Sequence, residues 1–295
     1  MVKKVLSVMI AVLMLATALV GCGSSGTETT TGAQTTGSGT EKKVLRVGME
    51  CAYAPFNWTQ TTTALSNGDT AIPIKGTSDY AYGYDVMLAK QLADNLGMDL
   101  EIVKVEWSSI ILGLQAGDYD AIIAGMGYTE ERDKTVDFTA PYYIRNNVLV
   151  IKKDGKFANA TKLSDFAGAS ATTQLGTTWE QYVPQIPEVK QQTYYETTAE
   201  VVMAVAMGSA DVGVLDEPTA KSAAIANPEV TYVKLDSTDG FAVPTGQSLK
   251  VCIAVKEGDA ELKDALDGAL TAIGWNEAKM TEYMDLAIEL QPLSE

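Results

Sequence analysis

Residues 120–143 have the sequence DAIIAGMGYTEERDKTVDFTAPYY, and the order of residue types in this stretch decides the predicted fold. It opens with residues 121–124, a short apolar run of the length and β-branching expected for a buried strand. Gly125 ends the run, and Thr129 can cap a short helix that begins at Glu130. The stretch therefore predicts a buried strand, a turn and a helix.

Arg132 lies in the first turn of that predicted helix, where a cation is disfavoured by about 0.3–1 kcal/mol. A guanidinium beside free backbone N–H groups, at the carboxyl end of a strand, makes a fork-shaped site for a carboxylate or phosphate group. The alternative is a surface ion pair with one of the acidic neighbours Glu131, Asp133 and Asp137. These residues alone leave both interpretations open.

The stretch resembles the signature of family 3 extracellular solute-binding proteins, the amino-acid receptors of ATP-driven importers. The matching pattern is a strand, then A-G-M-x-x-T-x-E-R, then V-D-F-x-x-P-Y-Y. The family's arginine holds the α-carboxylate of a bound amino acid, so the resemblance implies this role for Arg132. It also implies ligand contacts from the turn at Gly125, Met126 and Gly127. The family generally has Ser or Thr where this chain has Gly127, so a hydroxyl is lost here.

The first 21 residues carry the pattern of an export signal. Two lysines precede an uncharged run at residues 5–20, which is too short for a comfortable membrane span. The run ends in LVGC, which resembles the bacterial lipobox, in which the cysteine, here Cys22, is lipidated and becomes the mature N-terminus. An ordinary signal peptide with an incidental cysteine is the alternative.

Residues 22–40 predict a flexible tether, because residues 23–40 contain one apolar side chain, Ala33, and no periodicity. A segment of this length spans about 25 Å root-mean-square. Lipidation of Cys22 would attach the tether to the extracytoplasmic face of the cell membrane. We therefore predict an exported, membrane-anchored protein at the cell surface or in the periplasm.

Composition limits the chemistry that the chain can perform. The formal net charge of −16 argues against nucleic acid and anionic membrane surfaces as partners. The chain has no histidine, the commonest zinc ligand and general base, and no cysteine spacing fits a metal. We therefore predict no metal, no cofactor and no catalytic residue. Cys51 and Cys252 could form a disulfide in an oxidising compartment, but two free buried thiols are favoured.

The folded body begins with a predicted strand at residues 44–49, which leads into Glu50, Tyr53 and a break at Pro55. This order resembles the family's first-strand motif, G-x-[DE]-x-x-Y-x-P-F. The resemblance implies that Tyr53 stacks on the ligand and that Glu50 faces the ligand's side chain. It also implies that Trp107 covers the ligand opposite the tyrosine. Core packing of Tyr53 and rim packing of Trp107 are the alternatives.

The second half of the chain repeats the alternation of strands and helices. Residues 170–173 predict a strand, and QLGTT at 174–178 predicts the turn into a helix at Trp179. The family has G-[ST]-T here, which implies ligand contacts from Gln174, Gly176, Thr177 and Thr178. Asp216 follows a predicted buried strand. The resemblance implies that it receives the ligand's α-ammonium group, and capping of the next helix is an alternative that could coexist.

These patterns predict an α/β fold: a two-lobed, periplasmic-binding-protein-like (type II) clamshell with two crossover hinge strands. The predicted first lobe combines residues 41–146 and 247–295, and residues 147–246 form the second. We expect the ligand in the cleft at the carboxyl ends of the strands. Residues 58–82 predict a hairpin-like insertion.

The predicted function is that of a monomeric receptor that closes around an amino acid and delivers it to an ABC permease. Glu50 and Gln174 are the polar groups expected to face the ligand's side chain. We therefore expect cationic amino acids first, neutral polar ones second and acidic ones last.

Two other classes of protein are weighed against the receptor. An exported enzyme of the same fold, similar to cyclohexadienyl dehydratase, would need a poised acid or base. Only Glu50 and Asp216 qualify, and both serve better as charge partners. A ligand-sensing domain is normally fused to a membrane helix and a signalling module, and we expect neither after the folded body.

Overall fold

The computed structural model describes residues 42–236 and 238–292. The predicted signal peptide, the tether and Cys22 lie outside these residues. Among the residues that the structure describes, no helix combines the length and the apolar character needed to cross a bilayer.

The described elements alternate between strands and helices along the chain. The strands are β1 (Val44–Met49), β2 (Ala52–Tyr53), β3 (Asn57–Gln60), β4 (Ile72–Pro73), β5 (Tyr80–Tyr82), β6 (Asp99–Lys104), β7 (Ala121–Ile122), β8 (Gly127–Thr129), β9 (Val136–Ile144), β10 (Asn147–Lys152), β11 (Ser170–Thr172), β12 (Lys190–Gln191), β13 (Val212–Asp216), β14 (Val230–Val233) and β15 (Gln247–Lys256). The α-helices are α1 (Tyr84–Leu96), α2 (Ile110–Ala116), α3 (Thr198–Ala206), α4 (Glu217–Ala226), α5 (Ala260–Ala272) and α6 (Glu277–Leu290).

The first lobe is built on a six-stranded sheet with the order β6-β1-β7-β15-β8, and β9 also pairs with β15. Strand β1 is parallel to both of its neighbours, β6 and β7. Strand β15 is antiparallel to β7, β8 and β9, so it returns across the sheet from the far end of the chain. Helices α1, α2 and α5 pack against this sheet. The strand predicted at residues 44–49 is confirmed, and the chain returns to the first lobe as a strand at residues 247–256.

The second lobe is built on a five-stranded sheet with the order β12-β11-β13-β10-β14. Strand β11 is parallel to β12 and β13, and β10 is antiparallel to β13 and β14. Helices α3 and α4 pack on it. Helix α3 begins with the capping box that Thr197 and Glu200 predict, because each side chain accepts a hydrogen bond from the other residue's backbone N–H group.

The hairpin-like insertion forms a third, four-stranded sheet with the order β2-β3-β5-β4, antiparallel throughout. Asp69 fixes it, because its carboxylate accepts hydrogen bonds from the Tyr82 hydroxyl and from Lys90 of helix α1. The insertion therefore packs on the first lobe.

The chain crosses between the two large sheets twice, from β9 to β10 and from β14 to β15. The first crossing consists of Arg145 and Asn146, and the second runs through residues 234–246. This is the predicted two-lobed α/β fold with two crossover segments.

The two helices predicted after Thr129 and at Trp179 are short 3₁₀ helices. The first covers Arg132–Lys134 rather than beginning at Glu130, because the nine residues of strand β9 follow almost at once. Its N-cap is Glu131 rather than the predicted Thr129, although Thr129 Oγ1 accepts a hydrogen bond from the Arg132 N–H group at 3.0 Å. The second covers Thr178–Gln181 and leads into Pro184, which lacks the N–H group that a continuing α-helix needs.

Candidate ligand-binding site

A cavity with an empty volume of about 240 Å³ lies between the two lobes. Nine of the predicted ligand-binding residues line it: Glu50, Tyr53, Trp107, Gly125, Gly127, Arg132, Gln174, Thr177 and Thr178. Ala124, Arg145 and Trp179 complete the lining. Glu50, Trp107 and Gly125 follow the parallel strands β1, β6 and β7, so the fold brings them to one edge of the sheet.

Arg132 connects the two lobes through its guanidinium. Nη1 donates to the Gly127 carbonyl oxygen at 2.7 Å, and Nη2 donates to the Gly176 carbonyl oxygen of the second lobe at 3.1 Å. The guanidinium carbon lies 5.2 Å from the centre of the Trp107 ring, a cation–π contact. Burial, and then the charge of Arg145, lower the pKa of Arg132 to about 10, so the group stays cationic at neutral pH.

The surface ion pair considered for Arg132 does not form. Glu131 pairs with Lys134 at 2.8 Å, Asp133 accepts from the Tyr128 hydroxyl, and Asp137 accepts from a backbone N–H group. Over residues 42–236 and 238–292, no carboxylate lies within 4 Å of the Arg132 guanidinium. Its charge is therefore directed to the cavity.

Glu50 and Gln174 meet across the cleft. Gln174 Nε2 donates to Glu50 Oε1 at 2.8 Å and to the Glu196 carbonyl oxygen at 2.7 Å. Burial raises the pKa of Glu50 to about 8, opposed by the Gln174 hydrogen bond and reinforced by the charges of Glu106 and Asp85. At pH 7 this carboxyl group is therefore largely protonated.

Tyr53 separates Asp216 from the cavity. Its hydroxyl donates to Asp216 Oδ2, and its ring stacks on Phe56 with centroids 4.7 Å apart. Asp216 is fully buried and caps helix α4, because Oδ1 accepts from the Thr219 N–H group at 2.9 Å. Burial raises the pKa of Asp216 above its ordinary value. Capping, the alternative role, is what the structure shows.

Two further predicted residues do not line the cavity. Met126 is fully buried, and its carbonyl oxygen accepts from the Cys252 N–H group at 3.0 Å. Gly176 contributes its carbonyl oxygen to Arg132, as described above. Its αL conformation, with φ of 70°, places its Cα beside Trp107, since a Cβ there would lie 3.6 Å from Trp107 Nε1.

The described residues offer no metal site, because no three His, Cys, Asp or Glu side chains among them are grouped to hold an ion. Cys51 and Cys252 are both free and buried, and burial raises the pKa of each thiol to about 12. Both therefore stay protonated, and neither belongs to the cavity lining.

Arg145 is the cavity residue that the motif-based prediction missed. It lies in the first crossing, is 5% exposed, and donates through Nη2 to the Gly125 carbonyl oxygen at 3.2 Å. Its guanidinium carbon lies 5.6 Å from the centre of the Trp179 ring. A signal was available, because the sequence contains three arginines, and Arg46 is the third. Among the described residues, Arg46 pairs with Asp120, whereas Arg132 and Arg145 both line the cavity.

A cavity between two α/β lobes, lined by polar groups from both, is typical of proteins that bind a small ligand. The model of the bacterial extracellular solute-binding proteins, family 3, matches residues 45–279, and the chain belongs to this family. It is a binding protein rather than an enzyme.

Relatives and solved structures agree with this assignment. The chain is 28% identical to the arginine-binding extracellular protein ArtP of Bacillus subtilis over 256 residues, which are 86% of each chain. A Streptococcus pneumoniae amino acid ABC transporter substrate-binding protein bound to L-arginine has a TM-score of 0.70 and 25% identity, covering 84% of this chain and 95% of that one. An ancestral arginine-binding protein bound to glutamine has a TM-score of 0.63 and 30% identity, covering 84% and 97%.

Proposed function

We propose that the chain is the extracytoplasmic receptor of an ABC importer, that it binds a polar or cationic L-α-amino acid in the cavity between its lobes, and that it delivers this ligand to the permease. One observation carries the proposal: a cationic Arg132 and a neutral Glu50–Gln174 pair line the same cavity. The names of the relatives support the ligand class, since they include arginine-binding proteins and one bound to glutamine.

The α-carboxylate of the ligand would bind at Arg132. The Arg132 guanidinium now donates to two backbone carbonyl oxygens, and a carboxylate is a stronger acceptor because it carries charge and can take two parallel N–H bonds. Thr177 and Thr178 line the cavity from the second lobe and would add donors to the same group. Binding would thus exchange two contacts with backbone carbonyl oxygens, one within the first lobe and one between the lobes, for a charged contact.

The α-ammonium group would bind at Asp216 in place of the Tyr53 hydroxyl. Tyr53 belongs to the first lobe and Asp216 to the second, so opening of the cleft separates them and exposes the carboxylate. An ammonium group entering at that stage pairs with an ionised Asp216. Closure then brings the Tyr53 ring against the ligand.

Glu50 would set the preference for the ligand's side chain. It is largely neutral at pH 7, and a cationic side chain beside it favours the ionised form, so binding releases a proton. A neutral amide side chain can instead bond to the protonated carboxyl group and to Gln174. An acidic side chain would place a second carboxyl group beside Glu50, so acidic amino acids are expected to bind least well.

The lobe boundaries belong to the same proposal. We infer that residues 41–146 and 247–295 move as one body and residues 147–246 as the other, with Arg145 and Asn146 in the first hinge. The strands of each large sheet fall within these ranges. Hinge closure around a ligand is the motion expected of such a pair.

We also propose that the receptor acts as a monomer held at the membrane by a lipid on Cys22, after removal of residues 1–21. The lipobox pattern and the membership of an extracellular family support this. In a bacterial host, Cys22→Ala should release the protein from the membrane fraction. Retention of the variant in membranes would contradict the lipid anchor without affecting the ligand proposal.

A thermal-shift panel of the twenty L-amino acids and ornithine tests the function. A ligand at 100 times its dissociation constant adds about 2.7 kcal/mol of stability. We expect lysine, arginine or ornithine to stabilise most, glutamine next, and glutamate and aspartate least. Absence of any shift across the panel contradicts amino-acid binding, and stabilisation by glutamate alone contradicts the role of Glu50.

A further inference from the structure

Arg132 and Arg145 converge on Gly127. Arg132 Nη1 bonds to the Gly127 carbonyl oxygen at 2.7 Å. If Gly127 carried a Cβ atom, that atom would lie 3.2 Å from Arg145 Cζ and closer still to Arg145 Nη2. Any side chain at position 127 would therefore collide with the guanidinium. The missing side chain is what admits Arg145 to the cavity.

The surroundings of Arg145 leave its charge uncompensated by any direct ion pair. Over residues 42–236 and 238–292, no carboxylate lies within 4 Å of its guanidinium. Its side-chain contacts are one hydrogen bond, to the Gly125 carbonyl oxygen, and the face of the Trp179 ring, and the buried Asp216 carboxylate acts on it through its charge without a direct ion pair. A buried cation normally has a charged partner, because removing it from water costs more than neutral contacts return. The cavity that it lines is the place where such a partner can bind.

The same point of the cavity carries groups from the second lobe. The Cβ position at Gly127 lies 3.5 Å from Thr178 Cγ2, so Arg145 and Thr178 lie on either side of it. Arg132, Arg145 and Thr178 therefore surround one small volume with two cations and one hydroxyl-bearing side chain. A carboxylate has two oxygens, each with room for more than one donor, and so can accept from both guanidiniums.

We propose that Arg145 is a ligand-binding residue, and that its guanidinium, admitted by Gly127, holds the ligand's α-carboxylate together with Arg132. The proposal rests on the proposed function, because it names a second group for the same carboxylate. It assigns to the first hinge a direct part in ligand recognition. The ligand would then join the hinge, through Arg145, to the second lobe, through Thr178.

A double-mutant cycle between positions 127 and 145 tests the proposal by calorimetry with L-arginine and L-glutamine. Arg145→Ala should lose about 30-fold or more in affinity, the usual cost of removing one partner of a buried charge pair. Gly127→Ser should lose about 5- to 100-fold in the wild-type background, because its side chain displaces the guanidinium. In the Arg145→Ala background, Gly127→Ser should leave the affinity unchanged or raise it, because the serine hydroxyl then occupies the space that the guanidinium has left.

Four controls separate ligand binding from a structural role. The melting temperature of each variant without ligand reports folding. If the Arg145→Ala variant does not fold, Arg145→Lys keeps the positive charge and tests whether the guanidinium geometry is needed. Arg46→Ala removes the arginine that pairs with Asp120 outside the cavity and should leave affinity unchanged. Replacing L-arginine by L-argininamide removes the carboxylate, and the penalty for Arg145→Ala should then largely disappear.

The outcomes distinguish the two proposals. The role of Arg145 is overturned, while amino-acid binding stands, if Gly127→Ser loses the same affinity with and without Arg145. The same holds if Arg145→Ala weakens binding of L-argininamide as much as it weakens binding of L-arginine. Unchanged affinity in a folded Arg145→Ala variant does the same. Failure of the wild-type protein to bind either amino acid overturns the proposed function, and the role of Arg145 with it.

Discussion

The Arg132 guanidinium and the Glu50 carboxyl group line one cavity but respond to burial in opposite ways. Arg132 stays charged at neutral pH although burial lowers its pKa, because the shift stops at about 10. Glu50 loses most of its charge, because burial lifts its pKa to about 8. The difference lies in the starting values, since a guanidinium begins about six units above neutrality and a carboxyl group about three below. Burial alone therefore fixes one charge and makes the other dependent on the ligand.

The largest expected effect comes from removing the fixed charge. Arg132→Ala should weaken amino-acid binding by about 30- to several-thousand-fold, because the α-carboxylate loses its main charged partner in a closed site. Calorimetry with the best ligand of the panel measures the change, and Arg46→Ala serves as the matched control. Near-wild-type affinity in a folded Arg132→Ala variant would show that the carboxylate binds elsewhere.

Removing the ligand-dependent charge should have a smaller and selective effect. Glu50→Gln should cost a cationic amino acid about 10- to 100-fold, the value of a hydrogen bond to a charged group. L-glutamine should lose less than about threefold, because the amide replaces a carboxyl group that is already neutral. Titration of both ligands into both proteins gives the comparison. Equal losses of affinity for the two ligands would mean that Glu50 does not distinguish between ligand side chains.

The pH dependence of binding should also differ between cationic and neutral ligands, because a cationic side chain favours the ionised form of Glu50. Free Glu50 holds its proton up to about pH 8, and a cationic side chain favours the deprotonated form, so binding of L-arginine releases a proton. Affinity for L-arginine should therefore rise as pH rises from 6 to 8, by at most about tenfold per unit, and level off above. Calorimetry in two buffers of different ionisation enthalpy counts the released protons. The slope should vanish in Glu50→Gln, and a steeper slope for L-glutamine would contradict the account.

The smallest expected effect concerns Tyr53. Its hydroxyl occupies the Asp216 oxygen that the ammonium group would need, so Tyr53→Phe removes a competitor and keeps the ring on Phe56. Affinity should stay level or rise by up to about tenfold, the low end of the value of one hydrogen bond to a charged group. Small-angle scattering should also show a larger radius for the ligand-free variant, since one inter-lobe bond is lost. A loss of more than tenfold in affinity would contradict the displacement of Tyr53.

Local patterns predicted the strands well, because strand formation follows from short-range rules, whereas the site residues were assigned through the resemblance to the family. The apolar runs before Glu50 and Gly125 place both residues just beyond strand ends, and the parallel pairing of β1 with β7 then brings them to one edge of the sheet. The Thr197 capping box and the return strand at 247–256 are local in the same way.

Features set by long-range contacts were not predictable in this way. An aspartate at the start of a helix is a typical N-cap, but Gly83 is the cap of helix α1 and Asp85 is fully buried. Backbone carbonyl groups of Pro55 and Phe56 satisfy the first N–H groups of the helix. The Asp85 carboxylate is thus left to accept from Asn57 and from the Tyr142 hydroxyl. Nothing near Asp85 in the sequence marks these partners.

Arg145 and Gly127 are eighteen positions apart and show the same limit. Gly127 alone indicated a lost hydroxyl, and Arg145 alone looked like an ordinary hinge residue. Only the fold shows that the guanidinium of one fills the space left by the other. A substitution within a motif can thus be interpreted only together with the residue that packs against it.

The most direct test is a crystal structure of the protein with the amino acid that stabilises it most. The account predicts that the α-carboxylate lies within hydrogen-bonding distance of both Arg132 and Arg145, and that the side chain extends to Glu50 and Gln174. A ligand bound in the reverse direction, with its carboxylate beside Glu50, would contradict it.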